Sequence, residues 1–159
     1  PRSVVDMSVD TMARLFELKN IAGVKDATGD LNRVTQQKNK MGDEFIQLSG
    51  EDGTALEFNL RGGKGCISVT GNIAPKLCSE FQEASLTKNN NNLTSKAKEI
   101  NEKLLPLHSS LFIESSPSPV KYGASLLGLC SEDVRLPLVK TTEPTKQIVK
   151  SAMTKAGLL

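Results

Sequence analysis

A strand, a turn and a helix recur three times in the first half of this chain, and no other feature limits its fold as much. The apolar runs are Ile21-Ala22-Gly23-Val24, Phe45-Ile46-Gln47-Leu48 and Cys66-Ile67-Ser68-Val69. Their step is nearly fixed: 25 residues from Ile21 to Ile46 and 21 from Ile46 to Ile67. Each run is short, carries β-branched residues and is bounded by Gly or Asp. That pattern predicts strands buried on both faces, as parallel strands are.

A helical pattern follows each run. Leu31, Val34 and Met41 share one side of the first, with Asp30 as its expected N-cap and Gly42 as its stop. Leu56, Phe58 and Leu60 mark the second, closed by Gly62-Gly63. Pro75 opens the third, whose apolar stripe is Leu77, Cys78, Phe81 and Ala84. Successive strand–helix units give either an open doubly wound sheet or a closed (β/α)8 barrel. The glycines of the turns fit neither GxGxxG nor GxxxxGK[ST], so a dinucleotide or P-loop site is not expected.

After residue 87 the strand signal ends. Lys88 and the run Asn89-Asn90-Asn91-Asn92 read as a polar linker. Helices alone are expected beyond it. Leu93, Ala97, Ile100, Leu104 and Leu107 keep a step of three to four, with Pro106 expected to kink or end that helix. A further helix is expected from Val120 toward Gly128, an extended linker at Leu136-Pro137-Leu138, and a last helix with Ile148, Ala152 and Met153 before Gly157. The division is therefore 1–88 as partial barrel and 89–159 as an all-helical domain.

Composition narrows the function classes. Hydrophobic residues are 38% and charged residues 24%, enough for a packed core. Lys plus Arg total 20 against 18 acids, with no basic run, which argues against a nucleic-acid binder. No apolar stretch approaches the ~20 residues of a membrane span. The three cysteines form no CxxC pair, so a cytoplasmic protein with reduced thiols and no metal site is expected. The chain starts at Pro1 and not Met, and an N-terminal part is expected to precede it.

Lys25 is the candidate for chemistry. It follows Gly23-Val24 at the C-terminal end of an apolar strand, the catalytic face of a parallel barrel. Burial there would favour the neutral amine, the nucleophile of Schiff-base chemistry. A lysine snorkelling to solvent is the structural alternative. Val24, Leu48 and Ile67 are expected to point inward beside it. His108, the sole histidine, has no Ser/Asp partner at a suitable spacing and reads as structural. Asp26, Asp30, Glu51 and Asp52 read as helix N-caps and first-turn acids.

The segment Asn20-Ile21-Ala22-Gly23-Val24-Lys25-Asp26-Ala27-Thr28-Gly29 resembles the Schiff-base strand of the pyruvate-dependent class I aldolases. Other segments match in order: Leu48-Ser49-Gly50-Glu51-Asp52, Gly65-Cys66-Ile67-Ser68-Val69-Thr70-Gly71-Asn72, Leu105-Pro106-Leu107-His108, Pro117-Ser118-Pro119-Val120-Lys121 and Leu136-Pro137-Leu138. The last three favour the dihydrodipicolinate synthase family over N-acetylneuraminate lyase and the keto-deoxy-sugar-acid aldolases. The resemblance runs from Arg2 to Leu159.

The resemblance implies an α/β fold: about the last three units of a (β/α)8 TIM barrel, followed by a C-terminal helical domain. It implies a lyase that condenses pyruvate with aspartate 4-semialdehyde in lysine biosynthesis. No cofactor or metal is implied, because a covalent imine between Lys25 and pyruvate serves as the electron sink. Lys25 falls on the Schiff-base lysine and Arg2 on an arginine that helps hold a substrate carboxylate. Gly50 and Ile67 fall where backbone groups line the pocket. The family's relay tyrosines and paired threonines have no counterpart here, since Tyr122 is the only tyrosine and matches a helical-domain position. A missing N-terminal half of the barrel is therefore an expected partner, and a homotetramer the expected assembly. The 159-residue chain alone is expected to be inactive. Another pyruvate aldolase and a non-catalytic half-barrel oligomerisation module are the alternatives.

Overall fold

The computed structural model of the protein describes residues 5–87 and 91–159, apart from the side chain of Leu93. Arg2, residues 88–90 of the expected linker and the Leu93 side chain lie outside the described residues. Two compact units result, Pro1–Ile67 and Ser68–Leu159.

The first unit alternates helix and strand: α1 (Val9–Phe16), β1 (Gly23–Asp26), α2 (Asn32–Met41), β2 (Ile46–Ser49) and α3 (Ala55–Leu60). β1 and β2 pair in parallel, with Gly23 opposite Ile46 and Lys25 opposite Leu48. The third expected strand is reduced to one parallel bridge between Ser49 and Cys66. Ser49 N–H donates to the Gly65 carbonyl and Ile67 N–H to the Ser49 carbonyl, each at 2.8 Å. Just beyond, in the second unit, Thr70–Asn72 forms a 3-10 turn.

α1 was not evident from periodicity. The Ser8 hydroxyl accepts from Thr11 N–H (3.1 Å), Asp10 lies in the first turn, and Met12 is its buried residue. The cap of α2 falls one residue after the expected one: Asp30 Oδ1 accepts from Asn32 N–H (3.0 Å) while Leu31 holds the cap position. Gly42 ends α2 with φ 78°, a conformation that costs glycine little. Val34, Phe45, Leu56 and Phe58 are buried, and the rings of Phe16 and Phe45 meet edge-on at 5.1 Å.

The second unit is helical: α4 (Pro75–Leu86), α5 (Asn91–Ser110), α6 (Ser118–Leu126) and α7 (Glu143–Lys155). α5 is its axis, packing on α4 and α7. Leu104, Leu107 and Leu111 are wholly buried, each worth about 1.5–3 kcal/mol relative to exposure. α5 runs through Pro106, contrary to expectation. Pro106 and Glu102, whose carbonyl loses its donor, lie on the exposed face, where water replaces the bond. The buried leucines on both sides of Pro106 hold the helix together. Asn91 and Asn92, read as linker, belong to α5.

α7 buries Ala152 and Met153 as expected, but Val149 takes the inner place expected for Ile148, which is half exposed. Leu136 and Pro137 form a turn, closed by Leu138 N–H on the Arg135 carbonyl (3.0 Å), where an extended linker was expected. His108 is buried, with Nδ1 2.6 Å from the Thr70 hydroxyl. It ties α5 to the 3-10 turn, a structural role.

Candidate active site

Lys25 is the third of the four residues of β1, toward its C-terminal end as expected. Strand alternation puts Gly23 and Lys25 on one face and Val24 and Asp26 on the other. Register extends the Lys25 face to Ile46 and Leu48 on β2, and alternation from the Ser49–Cys66 bridge adds Gly50 and Ile67. Lys25, Leu48, Gly50 and Ile67 are thereby brought together. Val24 is not: it shares the opposite face with buried Asp26, against the expectation that it points in beside Lys25.

This face is open. Lys25 is exposed, and Ile46 and Ile67 are 43% and 49% exposed. The expected burial of Lys25 at a strand top is absent in this chain. The opposite face is closed by Asp26, Gln47 and Ser49, all buried. Gly50 N–H donates to the Asp26 carbonyl (2.7 Å), which brings the turn after β2 alongside Lys25.

Directly behind Lys25 lies a polar cluster that reading Asp26 as a cap did not anticipate. Asp26 Oδ1 accepts from the Thr28 N–H (2.9 Å) and hydroxyl (2.6 Å). Its Oδ2 accepts from Arg33 Nε (2.9 Å) and Gln37 Nε2 (3.1 Å). The same guanidinium donates to Asp6 Oδ2 (2.8 Å) and the Met7 carbonyl (2.6 Å). Asp26, Arg33 and Gln37 are all buried. One arginine thus binds the end of β1 to the segment just after Arg2. The sequence signal was present: an Asp-x-Thr turn followed by an arginine on the inner face of the next helix.

Burial alone would raise the Asp26 carboxyl, but the Thr28, Arg33 and Gln37 donors outweigh it and hold the group below the usual aspartate range. A lowered folded-state value means that the stabilisation is complete above the unfolded value of about 3.9 and is lost as pH falls through the folded one. Urea melts of the full-length protein between pH 7 and pH 3 should therefore lose more stability in wild type than in Asp26→Asn. Equal acid slopes would remove this carboxylate from the account. Asp26→Ala, which leaves Arg33 buried beside fewer partners, should cost about 3 kcal/mol at pH 7.

Glu51 acts as the expected cap, its Oε1 accepting from Gly53 N–H (3.2 Å) at the 3-10 turn Asp52–Thr54. Asp52 is buried beside Cys66, whose Sγ lies 3.8 Å from its Oδ1. None of the three cysteines is in a disulfide. Among the described residues, no group of three or more His, Cys, Asp or Glu could hold a metal ion, and no helix is long and apolar enough to cross a membrane.

Comparison with known proteins bears on the same geometry. The sequence profile of the Dihydrodipicolinate synthetase family matches residues 1–156. A curated 4-hydroxy-tetrahydrodipicolinate synthase from Pelagibacter ubique (strain HTCC1062) is 68% identical over 158 residues, which are 99% of this chain and 54% of that relative. A crystal structure of the chloride-inhibited dihydrodipicolinate synthase from Acinetobacter baumannii, complexed with pyruvate, superposes with a TM-score of 0.91 at 41% identity, covering 98% of this chain and 52% of that one. The dihydrodipicolinate synthase of Aquifex aeolicus gives 0.89 at 34% identity, covering 97% and 52%. The chain spans about half the length of the relatives it matches. The resemblance carried by the segments around Lys25, Gly50 and Ile67 is thus the resemblance of the whole chain, which belongs to the dihydrodipicolinate synthetase family.

Proposed function

We propose that the full-length protein containing this chain is a 4-hydroxy-tetrahydrodipicolinate synthase, condensing pyruvate with aspartate 4-semialdehyde. The observation that carries the reading is the position of Lys25: a lysine on a parallel strand, on the open face it shares with Leu48, Gly50 and Ile67. In this reading, residues 1–88 supply about the last three units of a (β/α)8 barrel and 89–159 a helical domain. The remaining barrel strands cover the face that is open here, and the enzyme works in the cytoplasm.

The Lys25 amine adds to the pyruvate ketone and water leaves, giving an imine. Loss of a methyl proton turns the imine into an enamine, whose carbon adds to the aldehyde of the semialdehyde. The amino group of that adduct then attacks the imine carbon, closes the ring and releases the lysine amine. Protein nitrogen serves as the electron sink, so the cycle balances without a separate cofactor. Arg2 holds a substrate carboxylate, and the backbone at Gly50 and Ile67 lines the pocket. The full-length protein should turn over pyruvate with aspartate 4-semialdehyde far faster than it cleaves N-acetylneuraminate. The reverse preference would point to another pyruvate aldolase.

The same reading includes a homotetramer to which the helical domain contributes contacts. Sedimentation of the full-length protein at micromolar concentration should show it, and a monomer alone would exclude it.

A further inference from the structure

We infer that Gly50 is a positioning residue for the nucleophile: the space left by its missing side chain is where the Lys25 stem lies. This deepens the proposed function and rests on Lys25 being the imine-forming lysine. Six glycines, Gly29, Gly42, Gly62, Gly65, Gly128 and Gly157, have positive φ and are required by their backbone conformation. Gly50 is not one of them, so its backbone would admit any residue. What excludes a side chain there is space. A Cβ on Gly50 would stand 2.8 Å from Lys25 Cε, 3.2 Å from Lys25 Cγ and 2.8 Å from Ala27 Cβ.

Other crowded glycines serve packing alone. A Cβ on Gly23 would stand 1.9 Å from the Ile46 carbonyl oxygen, and one on Gly63 would stand 2.3 Å from the Phe58 ring. At Gly50 two of the three crowding atoms belong to the reactive side chain itself and the third to Ala27. The Lys25 stem turns about four bonds, and contact with a fixed surface narrows its directions. Gly50 provides that surface: its N–H on the Asp26 carbonyl ties it to the backbone immediately after Lys25. The buried Asp26 carboxylate is in turn fixed by Thr28, Arg33 and Gln37. Carbon atoms pack best at about 3.5–4.0 Å. A methyl on Gly50 therefore drives Cε away by most of an ångström, and Nζ, one bond farther, moves with it. A displacement of that size at a reacting atom costs about a hundredfold in rate.

The test uses the full-length protein and separates the lysine from the fold. Gly50→Ala crowds both Lys25 and Ala27. Gly50→Ala combined with Ala27→Gly relieves the second clash and keeps the first. Wild type and Ala27→Gly should trap pyruvate on Lys25 under borohydride at similar rates. The double variant should melt within a few degrees of Ala27→Gly yet trap pyruvate about 10- to 100-fold more slowly, with kcat reduced in parallel. A purely structural glycine would lower the melting temperature and leave the trapping rate per folded molecule unchanged. A double variant that traps within twofold of Ala27→Gly overturns the inference while leaving the functional reading intact. A wild type that traps no pyruvate on Lys25 overturns both. A crystal structure of the reduced pyruvate adduct of wild type gives an independent check: Lys25 Cε should rest in van der Waals contact with Gly50, and a stem directed away from it would contradict the assignment.

Discussion

Lys25→Arg in the full-length protein should lower kcat by at least about a thousandfold and leave the fold unchanged. Arginine keeps the positive charge and approximate length. Its guanidinium stays protonated and offers no amine that can condense with a ketone. The step lost is bond formation, so raising the substrate concentration should not restore turnover. Lys25 lies on the face of β1 opposite the buried Asp26 cluster, so the substitution leaves the hydrogen bonds of that cluster in place. A melting temperature close to wild type is therefore expected alongside the lost rate. A residue of activity from binding and orientation is compatible with this account. Activity within tenfold of wild type would mean that another group is the nucleophile.

The second large effect concerns the 159-residue chain by itself. Among the described residues its β1–β2 pair has a third partner only at Cys66, and two-stranded sheets are marginal in water. Parallel strands are stable when both faces are covered, whereas here Ile46 and Ile67 stand exposed around Lys25. The open strand edges also invite pairing with other chains. The isolated chain should therefore aggregate or melt over a broad range with exposed apolar surface, and should trap little pyruvate. The helical unit, with Leu104, Leu107, Leu111, Val149 and Met153 fully buried, should hold its secondary structure longest. Size-exclusion chromatography and calorimetry decide this. A soluble monomer with one sharp cooperative transition would contradict it.

What was legible in the sequence follows from which forces act locally. The first two strand–turn–helix units, the glycine stops at Gly42, Gly128 and Gly157, and the lysine beside Gly23-Val24 are set by residues close in the chain. Facing is not. Whether Val24 or Lys25 looks toward Leu48 depends on register between strands, and a one-residue shift reverses it. The role of Asp26 was hidden for the same reason: its partners at Arg33 and Gln37 come from the next helix, and Asp6 reaches the cluster only through the fold. Pro106 misled because local propensity argued for a break, while leucine burial on both sides of it outweighs one lost hydrogen bond at the surface. Gly50 was legible as a matching residue, but the reason for it needs the coordinates of the Lys25 stem.

The central claim is that the Lys25 amine bonds covalently to pyruvate. The most direct measurement is mass spectrometry of the full-length protein after borohydride treatment, with and without pyruvate. The account predicts one reduced pyruvate adduct per chain, formed before any aldehyde is added, on the peptide that carries Lys25 and absent from Lys25→Arg. An adduct on a different lysine, or equal labelling of wild type and Lys25→Arg, would contradict it.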